Sequence, residues 1–267
     1  RRNKMAFDIN NFVIDRILRG VMQSKTNYDV LWAINQITNP SLSCALETTD
    51  AVDALGTRIM QFERAKSATF SAENSLFDLG LAAAQFGTEK EVASEAKKIV
   101  VPMFETIDVT EESEYTLKHT PTEQISSIYL LNGDSTLSTK YKNGASASAT
   151  DFVHTDESNK ITIPTGISAG SQLFVIYDYE STAAVSVTNN AVDFPKAGRF
   201  VMEVLGCDVC DTTKLVHAYI VFPNAKLSGE VDMTFTTEGT HPFSIECMQN
   251  YCDKTIQLYQ IIVPDEE

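Results

Sequence analysis

Four cysteines late in the sequence form the only pattern that resembles a metal site. Cys207 and Cys210 are separated by two residues, and Cys247 and Cys252 by four. Thiolates are good zinc ligands, and structural zinc sites often join two such pairs. The second spacing is loose for this purpose, and small thiols are often buried beside strands. The sequence therefore marks these four residues as zinc candidates, while it favours reduced thiols and no cofactor.

No recognisable catalytic pattern accompanies the cysteines. The four histidines, His119, His154, His217 and His241, are scattered along the chain. No GxSxG, HExxH or glycine-rich phosphate loop occurs. The 36 Asp and Glu residues show no assignable pairing. We therefore expect that the protein is not an enzyme. A zinc-dependent or thiol enzyme built on the four cysteines is a minor alternative.

The charge balance argues against a nucleic-acid-binding surface. The chain has 21 Lys and Arg residues against 36 Asp and Glu, a net charge of −15, whereas proteins that bind phosphates concentrate positive charge. No apolar run approaches the roughly 18 residues of a membrane-spanning helix, so no membrane insertion is expected. No segment typical of a signal peptide is present, and the odd number of cysteines favours a reducing, cytosolic setting.

The elements that would position these residues are mainly strands. Segment 11–36 has features of both a helix and a strand, and we interpret it as a β-hairpin that turns at 24–27, with a helical or extended first arm as the open alternative. Its second arm should end at Pro40, which cannot donate to a strand ladder. A polar loop is expected at 47–56. A half-buried strand should follow at 57–71, because apolar and polar residues alternate there, with Met60, Phe62, Ala68 and Phe70 on the buried side.

One α-helix is expected at about 74–87. Asn74 would cap its amino end, and Asp78 would lie in the first turn, where the helix dipole favours a negative charge. Gly87 would end the helix, since glycine readily adopts a positive φ. A broad apolar stripe between these residues predicts that the helix packs against a sheet.

The middle of the chain has a different composition. Residues 106–189 are rich in Ser, Thr, Gly and Asn, and short apolar runs alternate with turn signals. This spacing is typical of a small β-sandwich. We expect an inserted immunoglobulin-like domain at 106–189 with its ends close together. Residues 1–105 and 190–267 would then form one β-sandwich or barrel-type core.

Strands are also expected after the insertion, at 200–205, 215–222, 230–236 and 255–263. The cysteine pairs adjoin these strands. On a regular strand Cys207 and Cys210 would point to opposite faces, which weakens the zinc interpretation.

Two groups of motifs in the proposed core occur together. The first is Val13-Ile14-Asp15-Arg16-Ile17-Leu18-Arg19-Gly20, Leu31-Trp32, Asn39-Pro40-Ser41-Leu42, Asp53-Ala54-Leu55-Gly56-Thr57 and Ser71-Ala72-Glu73-Asn74-Ser75-Leu76-Phe77. The second is Cys207-Asp208-Val209-Cys210-Asp211, Phe222-Pro223-Asn224-Ala225-Lys226 and Ile261-Ile262-Val263-Pro264. These motifs resemble the tail tube proteins of tailed bacteriophages over about 180 residues. The middle region resembles the immunoglobulin-like modules that many phage tail proteins carry.

The resemblance implies a structural subunit of the virion. Tail tube proteins form hexameric rings that stack into a hollow conduit for DNA ejection, and DNA passes through without specific binding. Implied partners are copies of the same chain, the tail sheath, the baseplate or tail tip, the tape measure protein and the tail terminator. Assembly would take place in the host bacterial cytoplasm. Candidate contacts between subunits or rings are Glu47, Asp50, Asp53 and Leu55 in the expected polar loop.

A second hypothesis assigns a binding role to the immunoglobulin-like module. The chain could be another virion surface or tail protein whose module binds a host protein or glycan. Self-association separates the two hypotheses, because a tube protein forms rings or filaments and a receptor-binding protein does not.

Overall fold

The computed structural model describes residues 12–209, 211–237, 239–249 and 256–264. Within these ranges the protein has seventeen strands and one α-helix, which confirms the expected mainly β class. The chain divides into two compact units. Unit 1 comprises Arg1–Lys90 and Val187–Glu267, and unit 2 is Glu91–Ser186.

The elements are numbered in chain order. They are β1 (Phe12–Gln23), β2 (Val30–Ile34), β3 (Ile37–Val52), β4 (Arg58–Asn74), α1 (Leu79–Phe86), β5 (Glu91–Val92), β6 (Ile99–Asp108), β7 (Glu114–Thr116), β8 (Ser127–Leu131), β9 (Leu137–Asn143), β10 (Asp151–His154), β11 (Lys160–Thr162), β12 (Gln172–Ser181), β13 (Val185–Ser186), β14 (Ala197–Asp208), β15 (Asp211–Leu227), β16 (His241–Cys247) and β17 (Gln260–Ile262). Unit 2 contains β5 to β13, and unit 1 contains the rest.

Unit 1 is built on one large sheet. Its strand order is β2-β1-β14-β15-β16-β4-β3, and β17 pairs with β15. Alternate residues of β14, namely Phe200, Met202 and Val204, are buried on one face, as the period of two in a strand requires. The strands expected at 200–205 and 215–222 are therefore confirmed as parts of β14 and β15.

The sheet of unit 1 curls around its core. The Phe70 ring on β4 lies 6.1 Å from that of Phe200 on β14, although two strands, β15 and β16, separate β4 from β14 in the sheet order. A Cβ at Gly20 on β1 would lie 2.8 Å from the Phe200 ring and 3.1 Å from Ile37 at the start of β3. Glycine at this position lets the two ends of the sheet approach each other closely.

The amino-terminal hairpin is confirmed, but its second arm does not lead to a stop at Pro40. β1 pairs with β2 in antiparallel fashion, and β3 then runs through Pro40 to Val52. Pro40 lies within a register shift between Thr38 and Ser41, and Asn39 has a φ of 49°. A bulge leaves one residue without a ladder bond, so it can accommodate a proline inside a strand.

The predicted polar loop at 47–56 is wrong. β3 extends to Val52 and β4 begins at Arg58, so only a short turn joins the two strands. Both faces of this part of the hairpin meet solvent, and apolar residues therefore do not alternate as they do in a half-buried strand.

The helix is shorter than expected. α1 begins at Leu79, and its N-cap is Asp78, whose carboxylate accepts the N–H groups of Gly80 (2.7 Å) and Leu81 (2.9 Å). The prediction of Asn74 as N-cap is wrong, because Asn74 is the buried last residue of β4. Gly87, with a φ of 76°, ends the helix as predicted.

His241 on β16 forms a hydrogen bond with the start of α1. The Gln85 amide group donates to the Pro242 carbonyl at 2.9 Å, which turns its oxygen toward His241 Nε2 at 2.7 Å. Nε2 therefore carries the proton, and Nδ1 accepts the Asp78 N–H at 3.4 Å. Burial lowers the pKa of His241, and the nearby Asp78 carboxylate opposes this shift. The imidazole is 1 % exposed and fits its site as the neutral form.

Unit 2 has its own sheet and core. The strand order is β6-β12-β8-β9-β10-β11-β7, and β10 pairs in parallel with β9 and antiparallel with β11. Phe152, Ile161, Leu173 and Val175 are fully buried within it. Strands β7, β8, β10, β11 and β12 overlap the five short apolar runs of this region, at 115–117, 125–131, 151–153, 160–163 and 173–179. The sequence interpretation overlooked β5, β6, β9 and β13.

Unit 2 begins earlier than residue 106. β6 covers Ile99–Asp108 and pairs along its whole length with β12 of the same unit, so the predicted edge at 105/106 would cut a strand. The structure places the edges at 90/91 and 186/187. The two ends of the unit lie side by side, since β5 pairs with β13.

Two late segments differ from expectation. Residues 230–236 contain no strand, and β16, which the sequence interpretation overlooked, follows at 241–247. Of the strand expected at 255–263, the described part 256–263 contains β17, at 260–262.

Candidate assembly surface

The outer part of the β3–β4 hairpin stands apart from the core of unit 1. We call residues 43–67 the outer ribbon. All of them are exposed except Ala51, which is half-buried. β16 pairs with β4 only from Ala68 to Asn74, so within the described residues β3 and β4 pair only with each other along the ribbon. At about 3.3 Å per residue, the ribbon extends about 30 Å.

Apolar side chains are exposed along this ribbon. Met60 lies opposite Ala51, and Phe62 lies opposite Thr49, which places these four side chains on one face. The Met60 and Phe62 side chains are exposed, together with Leu46, Val52 and Ile59. A two-stranded hairpin with solvent on both faces is marginally stable by itself. The exposed apolar residues and unpaired strand edges are therefore features of a surface that binds a partner.

The tip of the ribbon is organised by Asp53. Its carboxylate accepts the backbone N–H groups of Thr57 at 2.8 Å and Leu55 at 2.9 Å. These hydrogen bonds lower the pKa of Asp53, and the bond from the Thr57 N–H has the largest effect. Gly56 has a φ of 82°, a conformation that side chains disfavour. The ordered turn presents Leu55, whose side chain is 92 % exposed.

Polar contacts across the ribbon lie on the face opposite Met60 and Phe62. Asp50 and Gln61 are opposite each other in the register. Asp50 forms an ion pair with Arg58 at 3.1 Å, and Gln61 donates to the Thr48 hydroxyl at 3.0 Å. Exposed contacts of this kind contribute little stability, so they hold the register of the ribbon more than they stabilise the unit.

The structure brings the four predicted contact residues onto this one ribbon. Glu47 and Asp50 lie on β3, and Asp53 and Leu55 lie at the tip. Their contact with another subunit stays a prediction. Met60 and Phe62 were assigned to the buried side of β4, and this assignment is wrong. A register shift at Arg64 turns Met60 and Phe62 to the face opposite Ala68 and Phe70, and the spacing of apolar residues in the sequence gave no signal of this shift.

The structure does not join the described zinc candidates into a site. Cys207 lies on β14 opposite Leu215, and Cys247 lies on β16 opposite Ala68. Burial raises the pKa of the Cys247 thiol to about 12, so this side chain is a neutral thiol in the metal-free protein. Cys210 and Cys252 lie outside the described residues.

Searches of the described ranges found no cluster of three or more metal-ligating side chains. No helix in these ranges is both long and apolar enough to cross a membrane.

Comparison with known proteins places the chain in a family. A comparison with curated proteins found no significant match. The sequence model of the YomU/Tube protein family matches residues 12–262, a range that includes most of the chain and both units. This chain belongs to the YomU/Tube protein family.

Proposed function

We propose that this protein is the structural subunit of a bacteriophage tail tube. Copies would assemble into hexameric rings, and the rings would stack into a hollow conduit for DNA ejection. Membership of the YomU/Tube protein family supports a phage tube-related structural protein. The observation that carries the self-assembly is the outer ribbon, which is exposed on both faces and held only at its base.

The ribbon fits assembly better than any function of an isolated subunit. Its exposed apolar side chains would be covered, and its edges paired, by neighbouring copies. Removal of apolar surface from water contributes about 25 cal/mol per Å², and the loss of translational and rotational freedom on association opposes this gain. The four contact candidates, Glu47, Asp50, Asp53 and Leu55, would make part of this contact between subunits or rings.

The charge of the chain suits a conduit. With a net charge of −15, each copy adds negative charge to the assembly, and like charge keeps a passing duplex from adhering. DNA would be cargo that passes without specific binding.

Such a subunit would function in the virion, after assembly in the host bacterial cytoplasm. Its partners would be other copies of itself, the tail sheath where one is present, the baseplate or tail tip, the tape measure protein and the tail terminator.

Negative-stain electron microscopy of the purified chain over a concentration series tests this proposal. We expect six-fold rings at low concentration and hollow tubes at high concentration. Particles that stay monomeric over the whole series, also after addition of preformed tube ends as an initiator, would contradict it.

Unit 2 supports a second candidate function. It has its own core, and it exposes an apolar strip on the face of β6 and β12, with Phe104 stacked on Phe174 at 6.1 Å and Ile176 directly opposite Phe104. We propose that unit 2 is the inserted immunoglobulin-like module and that it recognises a host protein or glycan. Binding of isolated virions to host cells, with and without competing soluble unit 2, tests this role.

A further inference from the structure

A groove on unit 1 lies between β2 and α1. Its volume is about 300 Å³, at the lower end of the range for binding pockets. Its apolar wall consists of Leu31, Trp32, Ala83, Ala84 and Leu227. Leu31 is 42 % exposed, and β2 is the end strand of the sheet order, so its outer edge has no partner among the described residues.

Positive charge lies at the rim of this groove. Lys90 and Lys196 line it together with one carboxylate, that of Glu89. Lys196 Nζ lies 3.9 Å from Glu89 Oε1, and both side chains are largely exposed, so this ion pair is weak and easily exchanged. The groove thus combines the apolar wall with a rim of net positive charge, in a chain whose net charge is −15.

The tip of the outer ribbon has the complementary chemistry. Leu55 projects from the turn as a single apolar side chain. Glu47, Asp50 and Asp53 precede it and Arg58 follows it, so the three carboxylates and one arginine of segment 47–58 give a net charge of −2, and Asp50 is paired with Arg58. The hydrogen bonds to Asp53 fix the turn, so little conformational entropy is lost when the tip binds.

We propose that the ribbon tip of one copy docks into the β2–α1 groove of a second copy. Leu55 lies against the apolar wall, and the tip carboxylates lie beside Lys90 and Lys196. This inference rests on the proposed self-assembly and specifies which two surfaces meet. Because the two surfaces differ, the contact is heterologous and can be repeated from copy to copy. The ribbon, about 30 Å long, carries its tip well clear of its own base.

A photo-crosslinker at the tip tests the docking. The full chain is prepared with p-benzoylphenylalanine in place of Leu55, and equal amounts of ¹⁴N- and ¹⁵N-labelled chains are mixed, assembled and irradiated. We expect mixed-isotope crosslinks from the tip to peptides that contain 31–33, 80–90 or 196.

The other outcomes overturn the inference in separable ways. If rings or tubes form but the tip crosslinks to a different surface, or only within its own chain, the groove is not the docking site and the proposed function stands. If the wild-type chain does not assemble at all, the proposed function fails and the docking fails with it.

Matched charge variants sharpen the test. Lys90→Glu with Lys196→Glu should lower the crosslink yield at least about tenfold, because the reversed charges would repel the carboxylates of the tip. Lys118→Glu with Lys140→Glu makes the same change of net charge in unit 2 and should leave the yield unchanged. Equal loss in both variants would show that net charge alone governs assembly, which would overturn the groove assignment.

Discussion

Units 1 and 2 use strands of different length around cores of similar kind. In unit 2 the longest strands, β6 and β12, have ten residues, and each contains buried side chains, in the second half of β6 and among the first six residues of β12. In unit 1, β3 has 16 residues and β4 has 17, and their outer halves contain no buried residue. The part of a strand that continues beyond the core gains no stabilisation from burial within its own unit. The excess length therefore identifies the part of unit 1 that is available to a partner.

The two units also contain one buried histidine each in the same arrangement. In unit 2, His154 Nε2 donates to the Ser158 carbonyl at 2.9 Å, and Nδ1 accepts the Ile125 N–H at 3.1 Å. In unit 1, His241 uses its two nitrogens in the same way on Gln85 and Asp78. Each unit thus supplies the hydrogen-bond partners of its own buried histidine, and the difference between the units lies in the ribbon.

The largest expected effect is a difference in the free energy of unfolding between variants in the inner and outer halves of β4. Phe70 is 2 % exposed and contacts Phe200, Phe222 and Phe243, so Phe70→Ala should lower the free energy of unfolding by about 3–5 kcal/mol. Phe62→Ala, on the same strand, should change it by less than about 0.5 kcal/mol while it weakens assembly. Fluorescence of Trp32, the single tryptophan, reports denaturation of unit 1, and equal destabilisation by both variants would contradict the division.

A smaller effect should depend on pH and be confined to unit 1. Burial holds the pKa of His241 below its ordinary value of 6.5, so the unfolded chain takes up a proton there before the folded chain does. The stabilising effect of the neutral imidazole is thus complete above about pH 6.5 and declines as the pH falls toward the folded pKa. A protonated Nδ1 could no longer accept the Asp78 N–H.

His241→Gln tests this prediction by denaturation monitored through Trp32. The variant should be about 1–3 kcal/mol less stable than wild type at pH 7.5, because buried polar groups lose partners, and the difference should narrow at pH 5. His217→Gln removes an exposed imidazole and serves as the control. A difference that is constant from pH 7.5 to 5 would show that His241 acts only by packing.

A local effect is expected at the ribbon tip. Asp53→Ala removes the acceptor for the Leu55 and Thr57 N–H groups, so amide hydrogen exchange of these two residues should accelerate while the melting temperature stays the same. Glu47→Ala makes the same change of charge outside the turn and should leave both amides protected. Unchanged exchange in Asp53→Ala would mean that the backbone hydrogen bonds between Asp53 and Gly56 and between Asp53 and Thr57 maintain the turn without the carboxylate.

The smallest expected effect is that of removing unit 2. The two segments of unit 1 that precede and follow unit 2 in the sequence lie close together, because the Thr88 hydroxyl donates to the Thr188 carbonyl at 3.1 Å. Replacement of 91–186 by a short glycine-serine linker should therefore leave the Trp32 melting transition within a few degrees of wild type. Deletion of 106–189 leaves part of β6 without its partner β12 and should aggregate. Loss of the Trp32 transition in the first variant would show that unit 1 depends on unit 2.

Prediction from sequence succeeded where one residue or a short period carries the information. The alternation in 200–205 and 215–222 identified β14 and β15, because burial of one sheet face imposes a period of two. Gly87 marked the end of α1, because its positive φ is a local requirement. Short apolar runs between turn signals located five strands of unit 2 for the same reason. The predicted contact residues lie together because they are close in sequence.

Only the tertiary structure decided which part of each strand or helix is buried by other elements. Asn74 has the residue type of an N-cap, but the pairing of β4 with β16 places it in a strand. Met60 and Phe62 continue the alternation of Ala68 and Phe70 in the sequence, but β16 pairs only from Ala68 onward and a register shift at Arg64 turns them to the other face. Whether a side chain is buried depends on which distant strand lies beside it, and local spacing contains no information about that distance. The sequence by itself determined that the protein is mainly β, and long-range pairing alone determined that one hairpin continues beyond the core as a ribbon.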